Sequence, residues 1–480
     1  ITGGTYFPPE DRGGRPGMKT ILPRLAQMWK TEGAEMIESG RQLTEVLQKA
    51  PIAAETKDWG EIFQKCYHHF EGSFDELHGG FGGAPKFPRS HELSWLLRYW
   101  KKTKTPMALE MVRKTLEAMA RGGIYDHLAG GFHRYATDEA WLVPHFEKML
   151  YDQAMISRTY LEMAQATHEK FYADVARDIF TYVLRDMTDT QGGFYSAEDA
   201  DSEGEEGKFC VWRPEEVIKI LGPEDGRVFC DFYGITDQGN FEHATSILHI
   251  KDESFRRPEG GEIPILKRDF STPPRNDMER LRKKLLEARK KRVPPLKDDK
   301  ILTAWNGLMI SSLAYGAQVL NEPSYQKAAE RAGHFILEHM VQGGRLFRRS
   351  RLGQTAIPAF QDDYACLALG FLDLYETTFD LFWLEKAQWL LEEMTRLFWD
   401  GEPKNGGFFY TAEDAEPLVI RPKEYYDGAV PSGNSVAAHT LMRLYHLTFN
   451  DDYRKKAEGV FRLFYDDVSA HPGAFCQMMM

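Results

Sequence analysis

The sequence predicts a mainly α protein: an (α/α)6 toroid of helical hairpins, preceded by the tail of an α/β domain. Three observations carry that prediction. Apolar residues recur at helical spacing through most of the chain, in segments that arrive two by two. A Gly-Gly loop, in most cases followed at once by an aromatic residue, returns five times between those segments. Residues 1–50 have a different texture, with Gly- and Pro-rich turns ahead of a single helical stretch.

Taken in order, Gly3-Gly4-Thr5-Tyr6-Phe7-Pro8-Pro9 reads as a strand end and turn, and Gly13-Gly14-Arg15-Pro16-Gly17 as a second turn. Leu22, Leu25, Ala26, Met28 and Trp29 then fall near helical spacing. One strand and a helix or two make no domain alone, so these residues are expected to be the end of an α/β domain whose first part lies upstream of Ile1. Residues 51–60 read as a linker. Helices are expected near 60–76, 90–102, 106–121, 145–166, 169–187, 303–320, 323–340, 362–378, 381–398, 433–448 and 451–468.

The loops between them repeat: Gly79-Gly80-Phe81, Gly130-Gly131-Phe132-His133, Gly192-Gly193-Phe194-Tyr195, Gly343-Gly344-Arg345-Leu346-Phe347 and Gly406-Gly407-Phe408-Phe409. The third and fifth continue into near copies, Ser196-Ala197-Glu198-Asp199-Ala200 and Thr411-Ala412-Glu413-Asp414-Ala415. A repeated helix, loop, helix unit means stacked hairpins, and about twelve helices of this kind close a ring. Residues 201–300 interrupt the rhythm. There Phe209–Trp212 and Ile247–Ile250 read as short strands and Lys251–Asn276 as a surface loop.

Composition narrows the function. The 480 residues are 42% hydrophobic and 28% charged, which suits a large packed core. The net charge of −12 argues against a nucleic-acid partner, and the basic run from Arg280 to Arg292 reads as a solvated helix face. The longest apolar stretch, Gly307 to Leu320, falls short of the roughly 20 residues a bilayer needs, so no membrane partner is expected. The five cysteines form no C-x-x-C pair and no zinc spacing, which points to reduced, buried thiols. Dinucleotide and phosphate-loop glycine motifs and the Gly-x-Ser-x-Gly elbow are missing from the sequence, so no cofactor is expected.

The densest chemistry lies in Gly130–Asp152, which mixes His133, Arg134, Trp141, His145, Glu147, Lys148 and Asp152. With Pro144 as a first helical residue, His145, Lys148, Met149 and Asp152 would share one face. His133, His145 and Glu147 are candidate acids and bases; the structural alternative is a buried network that closes a loop onto a helix. Glu198 and Asp199 follow the third Gly-Gly loop, and Glu147 with Asp199 could form the carboxylate pair of glycoside cleavage; the alternative reading of an Ala-Glu-Asp-Ala run repeated in two loops is a structural turn that caps the next helix. Trp305 and Asn306, Gln361 and Asp362, and Asn434 stand in the first turns of three helices. Together with Arg134, Trp141, Asp152 and Glu198 they are candidate ligand contacts, since aromatic and polar groups around a ring mouth suit a small carbohydrate.

Five motifs carry a resemblance: residues 3–9; Gly-Gly-Phe-His-Arg-Tyr (130–135); Trp-Leu-Val-Pro-His-Phe-Glu-Lys-Met-Leu-Tyr-Asp (141–152); Asp-Asp-Lys-Ile-Leu-Thr-Ala-Trp-Asn-Gly-Leu (298–308); and Pro-Ser-Gly-Asn-Ser-Val-Ala-Ala (431–438). In these the chain resembles the spermatogenesis-associated protein 20 family, thioredoxin domain-containing proteins, over nearly its whole length. The resemblance implies that residues 1–50 end a thioredoxin-like domain. It also implies that residues 60–480 form a six-hairpin toroid similar to glycosidases and N-acylglucosamine 2-epimerases, with an insertion near 201–300. A redox-like cysteine motif would lie upstream of Ile1 and a further segment past Met480. It implies a role in spermatogenesis and fertility, and secretion, but no single chemistry. A carbohydrate-acting enzyme, a non-catalytic binding toroid and a redox protein acting through the upstream part are the readings it leaves. Related epimerases use two histidines; His439 is the positional candidate for a second, ahead of His334 and His339.

Overall fold

The structure, a computed structural model, describes residues 7–47, 59–250, 275–401 and 405–480. It divides into two compact units, Ile1–Ile52 with Ala415–Pro422, and Ala53–Asp414 with Lys423–Met480. The described part of the first unit centres on one helix, α1 (Met18–Leu47), none of whose side chains is buried. Asp11 fixes its start: the carboxylate accepts from the Gly17 N–H and the Thr20 hydroxyl, both at 2.7 Å. The helix bends at Glu32, where φ is −132°. The strand end expected at 3–7 lies outside the described residues except for Phe7, and the linker expected at 51–60 lies outside them up to 58.

The second unit begins with α2 (Trp59–Ser73), α3 (Ser90–Thr103) and α4 (Pro106–Arg121). Three short strands follow, β1 (Tyr135–Ala136), β2 (Pro144–His145) and β3 (Lys148–Met149), then α5 (Leu150–Thr167) and α6 (Lys170–Asp186). Next come β4 (Tyr195–Glu198), β5 (Asp201–Ser202), β6 (Glu205–Glu206), α7 (Pro214–Leu221), α8 (Pro223–Phe232) and α9 (Arg275–Arg289). The remainder is β7 (Lys297–Leu302), α10 (Thr303–Leu320), α11 (Pro323–His339), β8 (Val341–Gln342), β9 (Arg345–Arg351), β10 (Gln354–Pro358), α12 (Gln361–Thr378), α13 (Leu381–Phe398), α14 (Gly433–Thr448) and α15 (Asp451–Ala470).

The burial patterns sort the helices into two layers. α5, α10, α12 and α14 are buried around nearly their whole circumference, as inner helices must be. α4, α6, α11, α13 and α15 bury one stripe and show water the other. The chain alternates between layers, so α3, α5, α10, α12 and α14 pack in succession as the inner wall. In the outer layer α2 meets α15: Trp59 packs edge-on against Phe461 and Tyr465 at 6.0 and 5.3 Å. One apolar core runs through all of these helices. This is the α/α toroid the hairpin pattern predicts.

Four of the five Gly-Gly turns are built the same way; the other, Gly343-Gly344, joins β8 to β9. An Asp just past the outer helix sends its backbone N–H to the second glycine's carbonyl: Asp75 to Gly80 O, Asp126 to Gly131 O, Asp189 to Gly193 O and Asp400 to Gly407 O, all at 2.7–3.0 Å; the carboxylates of Asp75, Asp126 and Asp189 also accept from N–H groups of the loop. In three turns a buried lysine from the following segment joins that Asp to the first glycine's carbonyl: Lys86 with Asp75 and Gly79, Lys148 with Asp126 and Gly130, Lys423 with Asp400 and Gly406. Then an amide from the inner helix clasps the aromatic residue's backbone. Gln153, Asn306 and Asn434 each accept from the N–H, and donate to the C=O, of Phe132, Phe194 and Phe408. Gly131 has φ +77°, and a Cβ there would lie 2.6 Å from the Tyr182 ring, so no other residue fits.

The strands after these turns join into one antiparallel sheet in the order β10-β9-β7-β4-β3, with β8 against β9. Here one expectation fails. The helix read from residue 145 starts at Leu150, because Pro144–His145 pairs with Tyr135–Ala136 and Lys148–Met149 with Ala197–Glu198. Backbone groups committed across strands cannot close helical turns, so His145, Lys148, Met149 and Asp152 do not share a helix face.

Residues 201–296 insert between β4 and β7 and carry a small core of their own, including Trp212, Val217, Phe229 and Leu285. The strands expected at 209–212 and 247–250 are turn and irregular chain, with Trp212 bridging Ser246. The loop expected at 251–276 lies outside the described residues up to 274. The basic run is not merely a solvated face. Arg289 is buried and makes two bonds to Asp126 (3.0 and 2.8 Å), and Arg282 reaches Asp178. Arg292 donates to the Phe209 and Val211 carbonyls and lies over the Trp212 ring. Lys283 and Lys290 remain exposed, paired with Glu279 and Glu287.

Candidate active site

The Gly130–Asp152 segment runs from the second Gly-Gly turn through the β1–β2 ladder into α5. Its backbone is fixed at both ends: the Arg134 N–H donates to Glu147 O at 2.8 Å, and Tyr135 stands opposite His145 in the ladder. These constraints gather four polar side chains. Arg134 Nη1 donates to Glu147 Oε2 at 2.7 Å, and His145 Nε2 lies 3.6 Å from the same oxygen. All three are partly open to solvent. Asp152, in the first turn of α5, is 7% exposed, and its Oδ2 has no partner among the described residues. Burial, opposed by the Arg134 charge and reinforced by Glu147, holds the Asp152 carboxyl well above the usual range. Tyr151 turns its ring edge-on to Trp305 of α10 at 4.9 Å, giving an aromatic wall beside the charges.

The site can therefore present a carboxyl that burial keeps protonated, a second carboxyl group braced by a guanidinium, an imidazole and an apolar face. Of the residues singled out in the sequence, Arg134, His145, Glu147, Asp152 and Trp305 come together here. The others do different work. His133 is buried, with Nδ1 2.8 Å from Phe146 O, and burial together with the Lys148 charge pushes it down to about 3. Asp199 is exposed in the turn after β4, where its Oδ1 accepts from Asp201 N–H; the carboxyl that feels Glu147 is Asp152. Trp141 is buried and donates from Nε1 to His78 O. Glu198 accepts from the Tyr182 hydroxyl at 2.8 Å and faces Lys297. Asn306 and Asn434 are fully buried and spend their amides on backbone, so neither is free for a ligand.

On α12, Asp362 and Asp363 both take Nη1 of Arg348, a residue the sequence did not flag. Gln361 is fully buried; its amide atoms have no partner among the described residues and lie against Gly433. His334 and His339 belong to outer helix α11, against Phe382, Trp383 and Phe335. His439 faces inward from α14 onto an axial cavity of about 90 Å³ further along the inner helices. Burial and the Arg443 charge push His439 down to about 3. That cavity holds an ion-pair network that sequence reasoning missed. Arg98 grips Glu162 with two bonds, and Asp373 takes Arg158, Arg443 and Ser311. Its signal was available: charged residues on helices that are otherwise apolar all round.

Asp126, His133 and Cys210 bring ligand-type atoms within 4.8 Å of one another. Both Asp126 oxygens are already taken by Lys148 and Arg289, so this trio is the core of an ion-pair cluster and a poor donor set for a cation. Among the described residues no helix is long and apolar enough to cross a membrane.

No family model matches the chain. Among solved structures it is similar to D-mannose isomerase (TM-score 0.55, 11% identity, 85% of each chain covered). It is also similar to cellobiose 2-epimerase from Spirochaeta thermophila DSM 6192 (TM-score 0.51, 14% identity, 85% of this chain and 84% of that one). At such identities the likeness shows the toroid and nothing more. Sequence relatives are nearer. Spermatogenesis-associated protein 20 of Mus musculus is 36% identical over 531 aligned positions, which take in 100% of this chain and 65% of the relative. The Homo sapiens protein is 36% identical over 530, covering 66% of its length. Uncharacterized protein B0495.5 of Caenorhabditis elegans is 34% identical over 508, covering 69%. The chain thus spans about two thirds of the length of the curated relatives it matches. With more than a third of its positions shared along its whole length, and the toroid that its motifs implied, the chain belongs to the spermatogenesis-associated protein 20 family.

Proposed function

We propose that the toroid is a carbohydrate-acting acid–base site, in which Asp152 gives a proton, Glu147 takes one, and the Tyr151–Trp305 wall packs against a sugar ring. The observation that carries this reading is the buried, unpartnered Oδ2 of Asp152 next to the Arg134–Glu147 pair. A carboxyl kept neutral by burial is a proton donor at neutral pH, and an ionised carboxylate beside it is an acceptor. The same pair serves glycosidic cleavage or proton transfer at a sugar carbon. Toroids named for sugar isomerisation and epimerisation share the fold, which supports a sugar as ligand. The name of the vertebrate relatives links the family to spermatogenesis, and on this reading the link runs through a sugar. Residues 1–50 are read as the end of a thioredoxin-like domain.

The test is proton NMR of a sugar panel in D2O: N-acylated amino sugars, neutral disaccharides and uronides. Turnover or deuterium uptake should fall on the order of a hundredfold in Asp152→Asn and in Glu147→Gln. Equal rates in a variant and the parent protein would remove that residue from the chemistry, and no change in any sugar would sink the enzyme reading.

A further inference from the structure

The insertion reaches into the candidate active site at one residue. Glu206, on β6, places Oε1 2.6 Å from His145 Nδ1 and 3.3 Å from the Phe146 N–H. The adjoining Gly207 has φ +74°, and a Cβ there would come within 2.5 Å of the Phe146 ring. Phe146 is held further by Phe241 of the insertion and by His133, at 5.5 and 5.1 Å between ring centroids. The insertion therefore clamps the strand segment that carries His145 and Glu147. The groups that face His145 are Glu206 from the insertion, the Tyr135 ring from β1, and Glu147 from its own segment, with Arg134 bound to Glu147.

An ionised carboxylate only accepts hydrogen bonds, so the short contact to Glu206 puts a proton on His145 Nδ1. The other nitrogen, Nε2, is then the one that points toward Glu147, at 3.6 Å. We propose that Glu206 is a positioning residue of the site: it locks the His145 ring and tautomer so that Nε2 is the nitrogen available for proton exchange beside Glu147. This deepens the acid–base reading and rests on it. It also gives the insertion a function, the supply of the one carboxylate the toroid does not itself provide to that imidazole.

Histidine-selective 15N labelling of the whole chain tests it, with ring nitrogens read by long-range 1H–15N correlation and His145 assigned by its loss in His145→Gln. The expected result is an Nδ1–H tautomer at neutral pH in the parent protein and a shift toward Nε2–H in Glu206→Ala. The His133 ring reports on folding of the segment, since its Nδ1 is bonded to Phe146 O. If Glu206→Ala disturbs His133 too, Glu206→Gln decides. It keeps an oxygen for both donors but removes the charge, so the His145 Nδ1 proton should move upfield with His133 unchanged. An Nε2–H tautomer in the parent, an unaltered tautomer in a folded Glu206→Ala, or an unmoved proton in Glu206→Gln overturns the proposal. If the sugar panel yields a substrate, Glu206→Ala should lower kcat about tenfold or more with little change in KM, and Glu206→Asp should recover part of it. Absence of any substrate sinks the acid–base reading alone; the nitrogen signals still decide this one.

Discussion

Asp152 concentrates the chemistry of the site in one atom. Its Oδ2 is buried, unbonded and close to Glu147. Such a carboxyl also writes itself into stability. The folded state keeps the Asp152 proton above the pH at which the unfolded chain releases it. Stability therefore falls as pH rises above about 4, the ordinary carboxyl value, by up to about 1.4 kcal/mol per pH unit. Asp152→Asn removes that cost. Its melting temperature should match the parent near pH 4 and exceed it increasingly toward pH 8. Melts of both proteins across that range measure the gap, and a constant gap would mean that Asp152 is ionised in the fold. Tyr151 and Trp305 call for a separate check: Trp305→Ala should weaken sugar binding more than it lowers turnover, because it offers a surface and no proton.

Some of these roles were legible in the residues and some were not. The run from His145 to Asp152 announced itself by density, and the structure brings His145, Glu147 and Asp152 near one another. Asn306 and Asn434 looked like ligand contacts because a polar side chain in a first helical turn has no visible partner in the sequence. Asn306's partner is the backbone of Phe194, 112 positions away. Glu198 and Asp199 attracted notice through their near copy at 413–414, yet β4 spends Glu198 on Tyr182 and leaves Asp199 in the turn. Glu206 carried no signal, since its importance lies in being opposite His145 across a chain reversal.

At the scale of elements, helical periodicity was reliable where helices pack on helices, and ten of the eleven expected segments lie within a few residues of their observed bounds. It failed at Pro144, where a first-turn proline and a strand proline look alike until Tyr135 is known to be opposite. The Gly-Gly turns hold these elements in register and do so with buried charge. Against the cost of burial, Lys86 and the N–H groups of His78 and Leu77 hold Asp75 down at about 2. Lys86→Met strands that carboxylate and should cost about 3–5 kcal/mol in denaturant unfolding, while Asp75→Asn added to it should return part of the loss. Equal losses in the single and double variants would show that the pair acts by packing alone. Asn306→Ala leaves the Phe194 N–H and C=O without their clasp and should cost about 2–4 kcal/mol.

For the whole molecule, two sets of buried groups pull against each other with pH. His91 and His127, at about 4, and His133 and His439, at about 3, stay neutral in the fold, chiefly because burial disfavours the charge. Each takes away stability as pH falls below 6.5, where the unfolded chain binds the proton first. Burial raises Glu92 and Asp363 to about 7, Asp427 to about 6 and Asp152 well above the ordinary carboxyl range, and each of these four returns stability over the same descent, down to about 4. Melting temperature should therefore change little between pH 6 and 4.5. Below about 4 the raised carboxyls have no more to return and the unfolded chain begins to bind a proton at Asp75, which the fold keeps charged down to about 2, so the fall becomes steep. A scan by calorimetry checks this, and a steady decline from pH 6.5 would show that one of the two sets is wrongly placed.

The ring pays no geometric penalty for its large insertion, and the pairing of β4 with β7 explains why. Glu198 stands directly across from Lys297, so the chain leaves the toroid and re-enters it at one rung of a ladder. The 201–296 segment is a detour with a common entrance and exit, like a side loop spliced onto a closed road. Its length is free of the ring's geometry, but its contents are not: Arg289 holds Asp126 of the second Gly-Gly turn and Glu206 holds the His145 segment. The toroid is thus a frame with a port between β4 and β7, and what occupies the port decides which group stands behind His145.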